Sequence, residues 1–130
     1  MRFSNDDHNN YNDNHSNLAL DRLKQFLNNK VKEKKNQIHP LHAKVYNDNL
    51  QIEIHSLRWI LERAMNQRQI NQVRCLVENE INNLGIKMKN SRDMEERDVL
   101  ITEVEILLWI LYVIQSIEEE KGARSDELII

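Results

Sequence analysis

Two glycines and one proline in 130 residues leave this chain short of the residues that tight turns most often require. That scarcity excludes a many-stranded β-fold, a collagenous repeat and Pro-rich disorder, and it predicts one compact, mostly helical domain. Gly85 and Gly122 are isolated, so no glycine loop cradles a phosphate. A single cysteine, Cys75, cannot build an intrachain disulfide framework and reads as a passive helix-flank residue. The N-terminal stretch holds Asn, Asp and His where a signal peptide needs an apolar run, which sets the expectation of a cytoplasmic protein. The longest uninterrupted apolar run, residues 106–114, is nine residues. As helix it measures roughly 14 Å, against roughly 30 Å of bilayer core, so the expectation is a buried helix and no membrane partner. A net charge of -3 gives no global attraction to a phosphate backbone, and any such binding must be local.

What the chain has in quantity is helical periodicity between two polar ends. Residues 1–16 are dominated by Asn, Asp and His and are expected to form a disordered tail; residues 122–130 are expected to form a mobile one beyond Gly122. Between them four helical segments are predicted. The first starts near Ser16 as N-cap, spaces Leu20, Leu23, Leu27 and Val31 along one stripe, and ends at Pro40. The second runs from Pro40 to about Asn66 with Leu50, Ile54, Leu57 and Leu61 inward. A competing reading exists there, because Leu50, Ile52 and Ile54 alternate like a strand and Asn47-Asp48-Asn49 resembles a hairpin turn. The third carries Ile70, Val73, Val77, Ile81, Leu84 and Met88, with Gly85 a possible stop one turn early. The fourth begins at Asp93 and Glu96, a pair resembling a capping box, and runs through Val99, Leu100, Val104, Leu107, Leu111 and Ile114 to the acidic residues 118–120.

Offset by fifty residues, LQIEIHSLRWIL at 50–61 aligns with LITEVEILLWIL at 100–111, with six of twelve positions identical. The same offset pairs Leu20 with Ile70, Leu23 with Val73, Leu27 with Val77 and Val31 with Ile81. The expectation is an all-α, up-down four-helix bundle over residues 17–121, built from two duplicated helical hairpins, 17–66 and 67–120. At this offset Arg58, Glu62 and Arg63 face Leu108, Tyr112 and Val113, so the second hairpin carries the larger apolar surface. That surface, with Leu108, Trp109, Tyr112 and Val113, and with Trp59 as the symmetric counterpart of Trp109, is the predicted protein interface. A homodimer is its simplest use, and the function read from it is that of a non-enzymatic protein-binding regulator or adaptor.

The alternatives rest on charge. Lys30, Lys32, Lys34, Lys35 and Lys44 fall near the first turn, and Lys87, Lys89 and Arg92 near the third. In an up-down bundle these share one end and form a candidate patch for nucleic acid, although no aromatic residues interleave them. A third reading is a magnesium-dependent, all-α nucleotide pyrophosphohydrolase-like enzyme. Glu95 and Asp98 have a suitable i,i+3 spacing, but Glu78 and Glu80 are two apart and cannot share a helix face. His39 and His42 lack a third ligand within their segment. No cofactor or metal is expected, and no family motif is present.

Overall fold

The computed structural model describes the backbone of residues 2–129 and the side chains of residues 18–119. Four helices form a bundle: α1 (Arg2–Gln37), α2 (Lys44–Ala64), α3 (Ile70–Asn90) and α4 (Met94–Ile129). The expectations for Ser16 and for tails at 1–16 and 122–130 lie outside the described side chains. There is no strand among the described residues, so the helical reading of residues 44–64 prevails over the hairpin.

The core follows the predicted stripes with one rotation. Leu20, Leu23, Leu27 and Val31 from α1 meet Ile54, Leu57, Ile60 and Ala64 from α2. Val73, Val77 and Leu84 enter from α3, and Leu100, Ile106, Leu107, Ile110, Val113, Ile114 and Ile117 from α4. Beyond Leu57 and Leu107 the buried stripe advances by three residues, to Ile60 and Ile110, and not by four to Leu61 and Leu111, which are half-buried. Both steps lie on one face of a helix, and both positions are apolar, so periodicity alone does not choose between them. Val99, expected inward, is exposed.

Each connection has its own chemistry. The helical conformation is disfavoured before a proline, so α1 stops at Gln37 and His39-Pro40-Leu41-His42 makes a turn closed by a His42 N–H to His39 C=O bond of 3.0 Å. Asn47 clamps that turn: its Oδ1 accepts from the His39 N–H at 3.3 Å and its Nδ2 donates to the His39 C=O at 2.8 Å. Because Pro40 serves the turn, α2 starts at Lys44, four residues later than its expected start. Its Asn47-Asp48-Asn49 triplet is helical, with Asn47 spent on the clamp. At the start of α3, Gln72 Oε1 accepts from the backbone N–H groups of Arg68 and Gln69 at 2.9 and 3.1 Å, which satisfies two main-chain donors ahead of the helix. Asp93 Oδ1 accepts from the Glu95 N–H at 3.1 Å, the N-cap expected for α4, and Glu95 and Glu96 complement the helix dipole.

By length and composition Met94–Glu119 of α4 is apolar enough to cross a bilayer. Counting only uninterrupted apolar residues misses this, because Glu103 and Glu105 are the only charged side chains in residues 100–117. In the bundle seven residues of this stretch enter the core, 39% of its most apolar part.

Gly85 does not end α3, which continues to Asn90. A Cβ built on Gly85 meets nothing within 4 Å. Gly85→Ala therefore removes backbone entropy from the unfolded chain without a clash, and should raise stability in urea unfolding by about 0.5–1 kcal/mol.

Candidate functional site

Among the concavities beside α4, two lie along its apolar stretch. The first lies between α1 and α4 and has a volume of about 230 Å³. It is lined by the buried Val113 and Ile117, by Phe26, Trp109 and Tyr112, and by the polar Arg22 and Ser116. Phe26 is 42% exposed, Leu108 50% and Tyr112 67%. Leu108 and Tyr112, four apart, continue the apolar surface one turn along α4.

The structure thus brings Trp109, Tyr112 and Val113 together and places Leu108 beside them, while Trp59 lies elsewhere, on the second concavity. The exposed surface is narrower than nine apolar residues in a row imply. Ile106, Leu107, Ile110, Val113 and Ile114 are buried, Trp109 and Leu111 half-buried, and only Leu108 and Tyr112 of the run are exposed. At the corresponding positions of α2, Arg58 and Glu62 are also exposed. One orientation on the helix is therefore outward in both, charged in α2 and apolar in α4.

The second concavity, of about 170 Å³, is enclosed by α2, α3 and α4. Its polar lining comes from His55 and Ser56, Glu80 and Glu103; Trp59, Leu84 and Leu107 supply apolar wall. The sequence places these acids inward. Glu80 stands between the core residues Val77 and Leu84, and Glu103 between Leu100 and Leu107, each at i−3 and i+4. Both carboxylates are half-buried. Burial pushes the Glu103 carboxyl above the usual carboxylate range; Lys87 opposes this, Glu80 adds to it, and His55 opposes it weakly. Reading Glu80 only against Glu78 overlooked this site, whereas the flanking core residues identify it.

Of the basic residues, Lys87 and Arg92 line one further concavity at the α3/α4 turn. Lys30 Nζ stands 5.0 Å from the Trp109 ring centroid and 3.4 Å from Glu33. Lys34 pairs with Glu53 across α1 and α2, and Lys87 faces Glu103. Lys32, Lys35, Lys44, Lys89 and Arg92 are exposed. On α2, Arg63 covers the Trp59 ring, with its guanidinium carbon 3.7 Å from the centroid. Arg74 of α3 pairs with Glu118 of α4.

The remaining candidates are dispersed. The His39 and His42 ring centroids are 5.6 Å apart, but His39 Nδ1 already accepts from the Leu41 N–H at 3.0 Å. Glu78, Glu95 and Asp98 are exposed, and Cys75 is an exposed free thiol. Among the described residues no group of three or more His, Cys, Asp or Glu side chains is placed to hold a metal ion. Compared with known proteins, the chain matches no family model, no curated protein and no solved structure.

The raised carboxyl has a consequence for stability. A carboxyl that binds its proton more tightly when folded favours the native state below its unfolded pKa and loses that contribution as pH rises through its folded one. Glu103→Gln should therefore be more stable than the wild type at neutral pH. The advantage should shrink as pH falls through the raised pKa, as measured by urea unfolding across pH.

Proposed function

We propose that this protein is a non-catalytic interaction module, a regulator or adaptor that works as a homodimer through the α1/α4 face. The observation that carries the reading is the groove with Phe26, Leu108 and Tyr112 exposed around it. Single exposed apolar residues are ordinary, but here two large ones sit one turn apart on α4 beside a third on α1. Twofold association lets each copy's Tyr112 enter the other's groove, against the buried Val113 and Ile117. Arg22 in the groove's lining and Lys30 over Trp109 supply a cationic rim of the kind that borders protein interfaces.

We also read the two hairpins as an internal duplication in up-down order. Supporting this, Leu23 and Val73, Leu27 and Val77, Leu57 and Leu107, and Ile60 and Ile110 are buried alike at the fifty-residue offset. The greater apolarity of α4 then marks where one copy acquired a surface that the other keeps charged.

Sedimentation of the wild type at micromolar concentration should give a dimer, with little change on raising salt, since apolar burial is not screened. Leu108→Asp with Tyr112→Lys alters two exposed residues and should give a folded monomer with unchanged helicity. A wild type that sediments as a monomer overturns the proposal. Val113→Asp is a different experiment: it buries an unpaired carboxylate at a 7% exposed position and should abolish cooperative unfolding.

A further inference from the structure

The cavity between α2, α3 and α4 is unlike its counterpart in the other half of the chain. Fifty residues separate Lys30 from Glu80, Lys34 from Leu84, Glu53 from Glu103, Ser56 from Ile106 and Trp59 from Trp109. In the first set of contacts two lysine ammoniums are used: Lys34 pairs with Glu53, and Lys30 lies over Trp109. In the second set neither lysine exists. Leu84 stands where Lys34 would be and cannot pair with Glu103, and Glu80 stands where Lys30 would be, beside Trp59. Replacing the bulk of Ile106 by the small Ser56 contributes to the open space.

Ser56 is the independent sign that something belongs there. It is only 8% exposed, it lines the cavity, and it makes no hydrogen bond among the described residues. Its hydroxyl is not wholly enclosed, since the described residues contain no fully inaccessible side-chain polar atom without a partner. A buried hydroxyl commonly finds a partner, and here none of the described residues supplies one. Glu80 and Glu103 likewise make no ion pair or hydrogen bond with a described residue.

We propose that this cavity binds a small organic cation, a primary alkylammonium, in place of the lysine ammoniums that serve the other half. The ammonium donates to the carboxylates of Glu80 and Glu103 and to Ser56 Oγ, using its three N–H groups. Its alkyl chain lies along Leu84, Leu107 and the edge of Trp59. A divalent metal is a poorer occupant, because the described side chains give it no set of three ligands. Lys87 and His55 are the cations that face Glu103 from α3 and α2, and both compete electrostatically with the ligand. Binding favours the ionised Glu103 carboxylate, so it weakens as pH falls through the raised carboxyl pKa. The cavity and its unpartnered hydroxyl stand without the fifty-residue correspondence; the choice of an ammonium draws on it. Neither depends on dimerisation.

The test is calorimetric titration of the full chain with n-butylammonium at neutral and acid pH, using 1-butanol and magnesium as comparison probes. The expected result is saturable binding of butylammonium that weakens at acid pH, and none of 1-butanol or magnesium. Glu103→Gln and Glu80→Gln should each weaken it by about tenfold, the scale of one lost charge-assisted hydrogen bond. Ser56→Ile should block it by filling the space. Should Ser56→Ile fail to fold, the two glutamine variants still decide, since amides at these half-buried positions remove a charge without changing shape. No saturable butylammonium heat at millimolar concentration, equal binding of 1-butanol, saturable magnesium uptake, or affinity unchanged in both glutamine variants overturns the proposal.

Discussion

Leu100, Ile106, Leu107, Ile110, Val113, Ile114 and Ile117 put α4 in contact with all three other helices, and the arrangement of the bundle follows from covering it. Between residues 100 and 117 this helix has few polar side chains to turn toward water, so its neighbours must cover much of that stretch. The surfaces of α1 and α2 do so with large aliphatic residues, whereas α3 offers only Val73, Val77 and Leu84 as fully buried partners. Val73 and Val77 are short, and Glu80 takes part of the next inward position. The cavity forms on that side. On the α1 side coverage stops at Val113 and Ile117, leaving Tyr112 outside. Groove and cavity are thus two ends of one shortage, the amount of neighbour available to α4.

The helices were largely readable from the residues, because their stripes are long and period 3.6 is distinctive over twenty positions. Choices within the stripe were not. Ile60 against Leu61 and Ile110 against Leu111 are apolar pairs at adjacent positions, and which of them turns inward is set by the packing angle between helices. The start of α2 was misplaced for a related reason. Pro40 suits both a first helical turn and the second position of a β-turn, and what decides is Asn47, whose amide reaches back to both main-chain groups of His39. Such a bond joins residues eight apart across a turn not yet known from the sequence.

The site was only half readable. The apolar excess of residues 106–114 located the α1/α4 face but overstated its width, since a composition count cannot say how much the other three helices cover. Glu103 passed unnoticed because a lone acid in an apolar helix resembles the solvated face of any amphipathic helix. Its neighbours at i−3 and i+4, Leu100 and Leu107, carry the missing information, and so do Val77 and Leu84 around Glu80. An acid between two core residues of one stripe must be at least half-buried, whatever its own preference. The lysines show the converse. Their spacing does not show that Lys30 and Lys34 are held by Trp109 and Glu53, while Lys87 and Arg92 share one concavity.

Interhelical polar contacts also explain why these two concavities have opposite character. In the α1 half, Lys34 neutralises Glu53, and Lys30 extends over Trp109. Long lysine stems cover apolar surface while their ammoniums meet an acid or an aromatic face, so the α1/α4 groove carries no carboxylate in its lining. Fifty residues further along the chain, α3 carries Leu84 and Glu80: one apolar and unable to pair with Glu103, the other of the wrong sign. Bringing two carboxylates together in a partly desolvated space costs free energy that Lys87 offsets only in part. A bundle selected for stability alone would place lysine or leucine there, since either removes the repulsion. Retaining both acids around an unpartnered hydroxyl makes sense physically if a cation from solution completes the set.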